Sequence, residues 1–228
     1  LGLVGSEMCI RDRFKWDDEY KYNRGKVLNK EDLDEIESFG RYLDIDNDGI
    51  CYRTYPGTHP EKGAFFTRGT SHDEYARYTE DGEVNAATLS RLMKKFRTAS
   101  ELVPEPIIEI NGEDSCGVIF YGSTSPAVHE AKDILKEKEI NIDLMQIRSF
   151  PFNLDVWEFI ANHDRIYVVE QNRDSQMRTL IMAEGGISPE ILRPLVHFTG
   201  DPIQASYIVN KISEREVNYK SHINAKNR

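Results

Sequence analysis

Two groups of side chains between Arg41 and Gly82 have the types and spacing that support chemistry. The first is Arg53, His59, Lys62, Arg68 and His72. Donors this close in sequence suit an anionic substrate or cofactor, and a guanidinium can hold a carboxylate or phosphate through two parallel hydrogen bonds. Salt bridges to the many acids of the chain are the alternative. Arg53, Thr54, Arg68 and His72 are the candidate binding residues. His72-Asp73 has the form of a base beside an orienting carboxylate, but no nucleophile lies nearby. The second group is Asp44-Ile45-Asp46-Asn47-Asp48-Gly49. Asp44, Asp46 and Asp48 stand two residues apart, and a glycine follows for a sharp turn, as at the start of a calcium loop. Tyr55 occupies the twelfth position, where an EF-hand needs a bidentate glutamate. The EF-hand reading therefore fails, while a shorter calcium or magnesium loop and an Asx-rich turn both stay open, the turn being favoured.

Two more polar stretches follow apolar runs. Gly122-Ser123-Thr124-Ser125 closes Val118–Tyr121, and Glu170-Gln171-Asn172-Arg173-Asp174 closes Ile166–Val169. The first could receive an anion at a helix N-terminus, although it lacks the glycine spacing of nucleotide-binding loops, and a hydroxyl-capped turn is favoured. Glu170, Asn172 and Arg173 are read as a contact with another domain or subunit.

The elements that must position these residues are legible from periodicity. Residues 116–172 read strand, helix, strand, helix, strand. Short β-branched or aromatic runs of this kind suit parallel strands covered by helices on both faces. Pro126 stands at a first helical position, with Ala127, Ala131, Ile134 and Leu135 as its buried stripe. Asn153 is the cap of a helix carrying Val156, Trp157 and Ile160. Asp174 or Ser175 starts another with Met177, Leu180 and Ile181, ended by Gly185-Gly186. Leu195–Phe198 is a fourth strand, and the last helix spans Ile203–Ser213. The fold class is thus α/β, a mainly parallel sheet with helices on both faces, preceded by a long ordered loop. Upstream, a helix runs from Asn29 to about Phe39, and Ala87–Ser100 carries Leu89, Leu92, Met93 and Phe96 at helical spacing. The polar linker Asn111–Ser115 marks a domain boundary.

The chain has 228 residues, 39% hydrophobic and 30% charged, with a net charge of -10. That balance argues against a sequence-independent nucleic-acid binder, which needs a basic surface. No run has the length of a membrane span. Cys9, Cys51 and Cys116 are few and widely spaced, which fits a reducing, cytoplasmic setting rather than a disulfide framework. With no CxxC pair, the chain is not expected to hold an iron–sulfur cluster alone. Residues 1–13 contain EMCIRD, which looks like a translated sequencing adapter, so they are set aside from the fold. On that reading the natural protein continues upstream and this chain is a C-terminal fragment.

Several motifs occur in order: GRYLDIDNDGICYRTYPGTHPEKGAFFTRGTSHDEYARYTEDG, YGSTSPAVHEA, IRSFPF, VVEQNRDSQMRTL and VHFTGDPI. Together they resemble the alpha subunits of 2-oxoglutarate:ferredoxin oxidoreductases, within the 2-oxoacid:acceptor oxidoreductase family, from Phe14 to about Ile212. The resemblance implies a thiamine diphosphate enzyme that oxidatively decarboxylates a 2-oxoacid and gives the acyl group to coenzyme A. It passes electrons through iron–sulfur clusters to ferredoxin, and a beta subunit is a partner. It implies that 14–115 is the end of a pyrimidine-binding thiamine domain with its linker. Residues 116–213 would be a transketolase C-terminal-like domain, and 214–228 a frayed tail. The family's Tyr-Pro-Ile-Thr-Pro and Gly-Asp-Gly motifs are absent, so thiamine diphosphate and its magnesium are expected outside this chain. Cys51 stands where the family pattern has proline. The chain alone is not expected to be active.

Overall fold

The computed structural model describes residues 19–69, 71–112 and 116–226; the expectations for residues 1–13 lie outside the described residues. The chain divides into two compact units, one ending at Met93 and the other beginning at Lys94.

In the first unit, α1 spans Lys30–Glu35 and carries a full capping box. The Asn29 side chain accepts from the Asp32 backbone N–H, and the Asp32 carboxylate accepts from the Asn29 N–H. Leu33 is fully buried and anchors the helix. The expected helix to Phe39 stops instead at Ile36, which turns to extended backbone. There the Lys62 ammonium donates to the Leu33 carbonyl at 2.8 Å and to the Ile36 carbonyl, placing a cation on the helix C-terminus. The long loop that follows is ordered by short links: Arg53 pairs with Val27, His72 with Tyr78, and Tyr42 N–H donates to the Glu74 carbonyl. Helix α2, Gly82–Leu102, is longer than expected and crosses the division between the units. It buries no residue, and Leu89, Met93 and Phe96 remain exposed, although Phe96 meets the Phe150 ring edge-on at 6.3 Å.

The second unit holds a sheet of five strands in the order β1-β3-β2-β4-β5. These are β1 Ile107–Glu109, β2 Cys116–Tyr121, β3 Ile142–Ile147, β4 Ile166–Glu170 and β5 Leu192–Val196. Strands β2 to β5 are parallel, and β1 is an antiparallel edge on β3. The sheet thus begins before the Asn111–Ser115 linker, so the expected boundary there cuts through one layer of structure. Helices α3 Ser125–Glu137, α4 Leu154–Ala161, α5 Gln176–Gly185 and α6 Ala205–Lys226 complete the layers. Alternate strand residues feed two cores. Val118, Phe120, Leu144, Tyr167 and Val169 meet α3 and α6, while Ile119, Met145, Ile166 and Val168 meet α4 and α5. On α3 Ala131 and Leu135 are buried as expected, Val128 joins them, and Ala127 and Ile134 are the partly buried margin. Asn153 precedes α4 in extended geometry, but its side chain does not cap the helix. No helix among the described residues is long and apolar enough to cross a membrane.

Helix α6 does not end at Ser213 but runs on to Lys226, and it carries the buried Glu216. Glu216 is 2% exposed and accepts from Arg165 Nε at 2.9 and 3.1 Å and from the Tyr167 hydroxyl at 2.8 Å. A second buried pair ties the other edge. His163 Nε2 lies 3.1 Å from Asp143 Oδ2, and Asp143 Oδ1 accepts from the Asn111 N–H at 2.7 Å. Removing one partner of a buried pair leaves an uncompensated charge, which costs about 3–5 kcal/mol. Glu216→Ala should therefore lower unfolding stability by about 3 kcal/mol, read as a fall in the urea midpoint; an unchanged midpoint would show that the tail is dispensable.

Candidate functional site

The order of the strands fixes where a site can form in the second unit. The chain passes from β2 outward to β3, then back across β2 to β4. In open α/β sheets ligands meet the fold at the carboxyl ends of strands where the direction of winding reverses. Here that crevice lies between the ends of β2 and β4, where Gly122–Thr124 and Glu170–Asn172 sit.

The crevice is stitched closed by its own side chains. Gln171 donates through Nε2 to Ser123 Oγ at 3.3 Å and Thr124 Oγ1 at 3.2 Å, and its Oε1 accepts from the Ile203 N–H at 3.3 Å. Glu170 is fully buried. Its carboxylate accepts from Met177 N–H at 2.8 Å, Arg178 N–H at 3.0 Å and Asn172 Nδ2 at 2.7 Å. It thus supplies the N-terminal cap of α5 that Ser175, held at φ 50° with no side-chain cap bond, does not. Asn172 Oδ1 accepts from the Asp174 and Gln176 N–H groups and holds that turn. Glu170 and Asn172 therefore shape the strand end from inside, and Glu170 offers no surface to a partner. Of the three residues read as an interface, only Arg173 stands out in solvent, paired with Asp174 at 2.7 Å. Beside the crevice, Pro126, Ala127, Glu130, Ile203 and Ser206 line a cleft of about 430 Å³ between the first turns of α3 and α6.

In the first unit the candidate residues fall into two subsets. Arg53 and Thr54 belong to one. Arg53 donates through Nη2 to the Arg24 carbonyl at 2.5 Å and lies over the Tyr55 ring. Thr54 is buried and donates to the Gly63 carbonyl at 3.1 Å, so it holds the loop rather than facing a ligand. Tyr78 joins Arg68 and His72 into the other: its backbone bridges His72, and its ring carries the Arg68 guanidinium at 6.0 Å. Gly69, at φ 80°, permits this approach, since a Cβ there would meet the Tyr78 ring at 2.5 Å. His72 also stacks on Tyr42 at 3.9 Å, and Arg41 and Arg91 lie against the same Tyr42 ring. This arginine–aromatic arrangement holds the guanidinium groups in place. Asp73 does not orient His72. Its carboxylate accepts from the Tyr75 and Arg77 N–H groups, and His72 Nδ1 instead meets the Asp73 carbonyl at 3.0 Å. His59 Nδ1 accepts from the Glu61 and Lys62 N–H groups, which makes it a turn-former.

The metal reading of Asp44, Asp46 and Asp48 is corrected by Lys26. Its ammonium lies 2.6 Å from Asp46 Oδ2 and 2.7 Å from Asp48 Oδ2 and also donates to the Ile50 carbonyl. Asp44 Oδ1 accepts from the Asp48 and Gly49 N–H groups, the Asx turn that was the favoured alternative. The cation of this loop is thus the chain's own, and among the described residues no three His, Cys, Asp or Glu side chains are grouped to hold a metal ion. Hydrogen bonds from Lys26 hold the Asp46 and Asp48 carboxyls below their ordinary range. Desolvation pulls the Lys26 ammonium down, but bonds to both aspartates outweigh it and raise its pKa. Nothing local marks Lys26 in the sequence, since it lies 20 and 22 residues from its partners. Nor do the described cysteines supply the four thiolates of an iron–sulfur cluster. The described cysteines are Cys51 and the buried Cys116, whose thiol burial pushes up to about 12.

No protein-family model matches the chain. It is 26% identical over 195 residues to 2-oxoacid:ferredoxin oxidoreductase 2, subunit alpha, of Aeropyrum pernix, covering 83% of this chain and 28% of that one. It is 28% identical over 191 residues to 2-oxoacid:ferredoxin oxidoreductase 1, subunit alpha, of Sulfurisphaera tokodaii, covering 81% of this chain and 28% of that one. The chain therefore spans 28% of the length of these curated relatives. Among solved structures it resembles a 2-oxoglutarate:ferredoxin oxidoreductase from Magnetococcus marinus with 2-oxoglutarate, coenzyme A and succinyl-CoA bound. The TM-score is 0.69 at 23% identity, covering 79% of this chain and 31% of that one, a likeness of fold. The α/β sheet agrees with a transketolase C-terminal-like domain.

Two outcomes follow from this geometry. Glu170→Ala strands two α5 backbone N–H groups and should cost about 2 kcal/mol in chemical denaturation; no loss would mean water replaces the carboxylate. The Lys26 clasp is present above the ordinary aspartate value of 3.8 and is lost as pH falls through the lowered Asp46 and Asp48 values. At the alkaline end it persists below the ordinary lysine value of 10.5 and is lost only above the raised one. Lys26→Met should therefore flatten the acid limb of a melting-temperature profile, and an unchanged acid limb would remove the clasp as a contributor.

Proposed function

We propose that the chain is part of the alpha component of a 2-oxoacid:ferredoxin oxidoreductase that uses thiamine diphosphate. In this reading 2-oxoglutarate is decarboxylated oxidatively, its acyl group passes to coenzyme A, and its electrons pass to ferredoxin. The observation that supports it is the ordered likeness along four-fifths of the chain to subunits of that name, together with the shared fold. In this proposal a beta subunit and other segments of the assembly hold the cofactor and the clusters. The assembly is cytoplasmic, without nucleic acid or membrane.

Within it, the first unit supplies a wall of pre-ordered cations. Arg53 and Arg68, each stacked on a tyrosine, neutralise a substrate carboxylate or a coenzyme A phosphate. His72 sets the Tyr78 strand that carries Arg68, and Thr54 fixes the turn beside Arg53. Arg173, exposed beyond the crevice, contacts a neighbouring domain or subunit, and Glu170 and Asn172 hold the turn that presents it. Binding energy from groups remote from the reacting bond acts by positioning, so loss of such a cation is felt first in KM.

A second reading is a non-catalytic docking unit, favoured by the strand-end polar groups that are engaged within the chain. Turnover of the whole complex separates the two. Arg53→Ala and Arg68→Ala should each raise the KM for 2-oxoglutarate or coenzyme A about ten-fold, the loss of one charge-assisted contact of about 1.4 kcal/mol. Unchanged KM and kcat in both variants would leave only the docking role.

A further inference from the structure

A polar cluster at the amino ends of the strands plays no part in the reading above. Arg165 precedes β4, Arg193 lies on β5 and Arg215 on α6, and all three surround Tyr167 and Tyr219. Arg165 is matched by the buried carboxylate of Glu216. Arg193 and Arg215 are not: neither forms an ion pair with a carboxylate among the described residues. Arg193 Nη1 donates to the Tyr167 hydroxyl at 3.4 Å, and Arg215 Nη1 to the Pro194 carbonyl at 2.9 Å. A guanidinium has five donors, so most of each remains for another acceptor.

Their placement is set in advance. The Arg193 guanidinium lies 5.8 Å from the Tyr167 ring and 5.5 Å from the Tyr219 ring, and Arg215 lies 5.7 Å from Tyr167. Tyr167 is itself fully buried and is held by Glu216. Cations stacked on fixed rings lose little further freedom on binding. Two uncompensated positive charges beside a sheet edge also stand out in a chain of net charge -10. Both guanidinium groups reach the Tyr167 ring, and Arg215 bonds the carbonyl of Pro194, the residue after Arg193, so both forks stand on one stretch of β5, where a diphosphate can set one phosphoryl group on each. We propose that Arg193 and Arg215 form a binding site for a small molecule bearing a diphosphate, on the β5 edge of the second unit.

Pyrophosphate is the probe. Calorimetric titration of the full 228-residue chain at low ionic strength should show one site that weakens as salt is added. Arg193→Lys and Arg215→Lys keep the charge and the packing but lose the planar fork, and each should weaken binding at least about ten-fold. Arg148→Ala, an exposed arginine elsewhere on the second unit, should bind as the parent does. Thermal melts of each variant establish that it is folded. Absence of binding by the parent chain overturns the proposal, as do equal affinity in both lysine variants and an equal loss in Arg148→Ala.

Discussion

A parallel sheet covered on both faces keeps water away from its strands, and the second unit is arranged around that constraint. Strands β2 and β4 are buried along nearly their whole length. Any polar group at their ends must find its partner inside the chain, because an unpaired buried donor or acceptor costs about as much as a hydrogen bond contributes. Three carboxylates answer this. Glu170 closes the carboxyl end of β4 and starts α5, Glu216 closes the amino end with Arg165 and Tyr167, and Asp143 joins β3 to His163 and Asn111.

The same constraint explains why the two ends differ in what they offer. At the carboxyl edge Gln171 bridges three segments and leaves little unmet, so the crevice expected of a winding reversal is filled by the chain itself. At the amino edge Glu216 pairs with Arg165, while Arg193 and Arg215 lie against tyrosine rings and form no ion pair among the described residues. Among the described residues the first unit has little core beyond Leu33 and Ala76. It is ordered instead by turns, arginine–tyrosine stacking and the Lys26 clasp, which are interactions that hold a surface in shape rather than bury it.

The sequence by itself determined the α/β alternation, because β-branched runs and helical stripes are local patterns with fixed periods. It also determined Asn29 as the start of α1 and the glycine end of α5, where the signals are a few residues apart. Its Asx-turn reading of Asp44–Gly49 was sound for the same reason. Only the tertiary structure decided that Lys26 neutralises that loop, that Glu170 caps α5 in place of Ser175, and that α6 continues until Glu216 reaches Arg165. It alone set Arg68 beside His72 and set Arg53 with Thr54. The physical reason is distance along the chain. An ion pair closing 51 residues, as Arg165 and Glu216 do, leaves no trace in the periodicity at either end. A charged residue in a helix looks solvated until the fold shows what it faces.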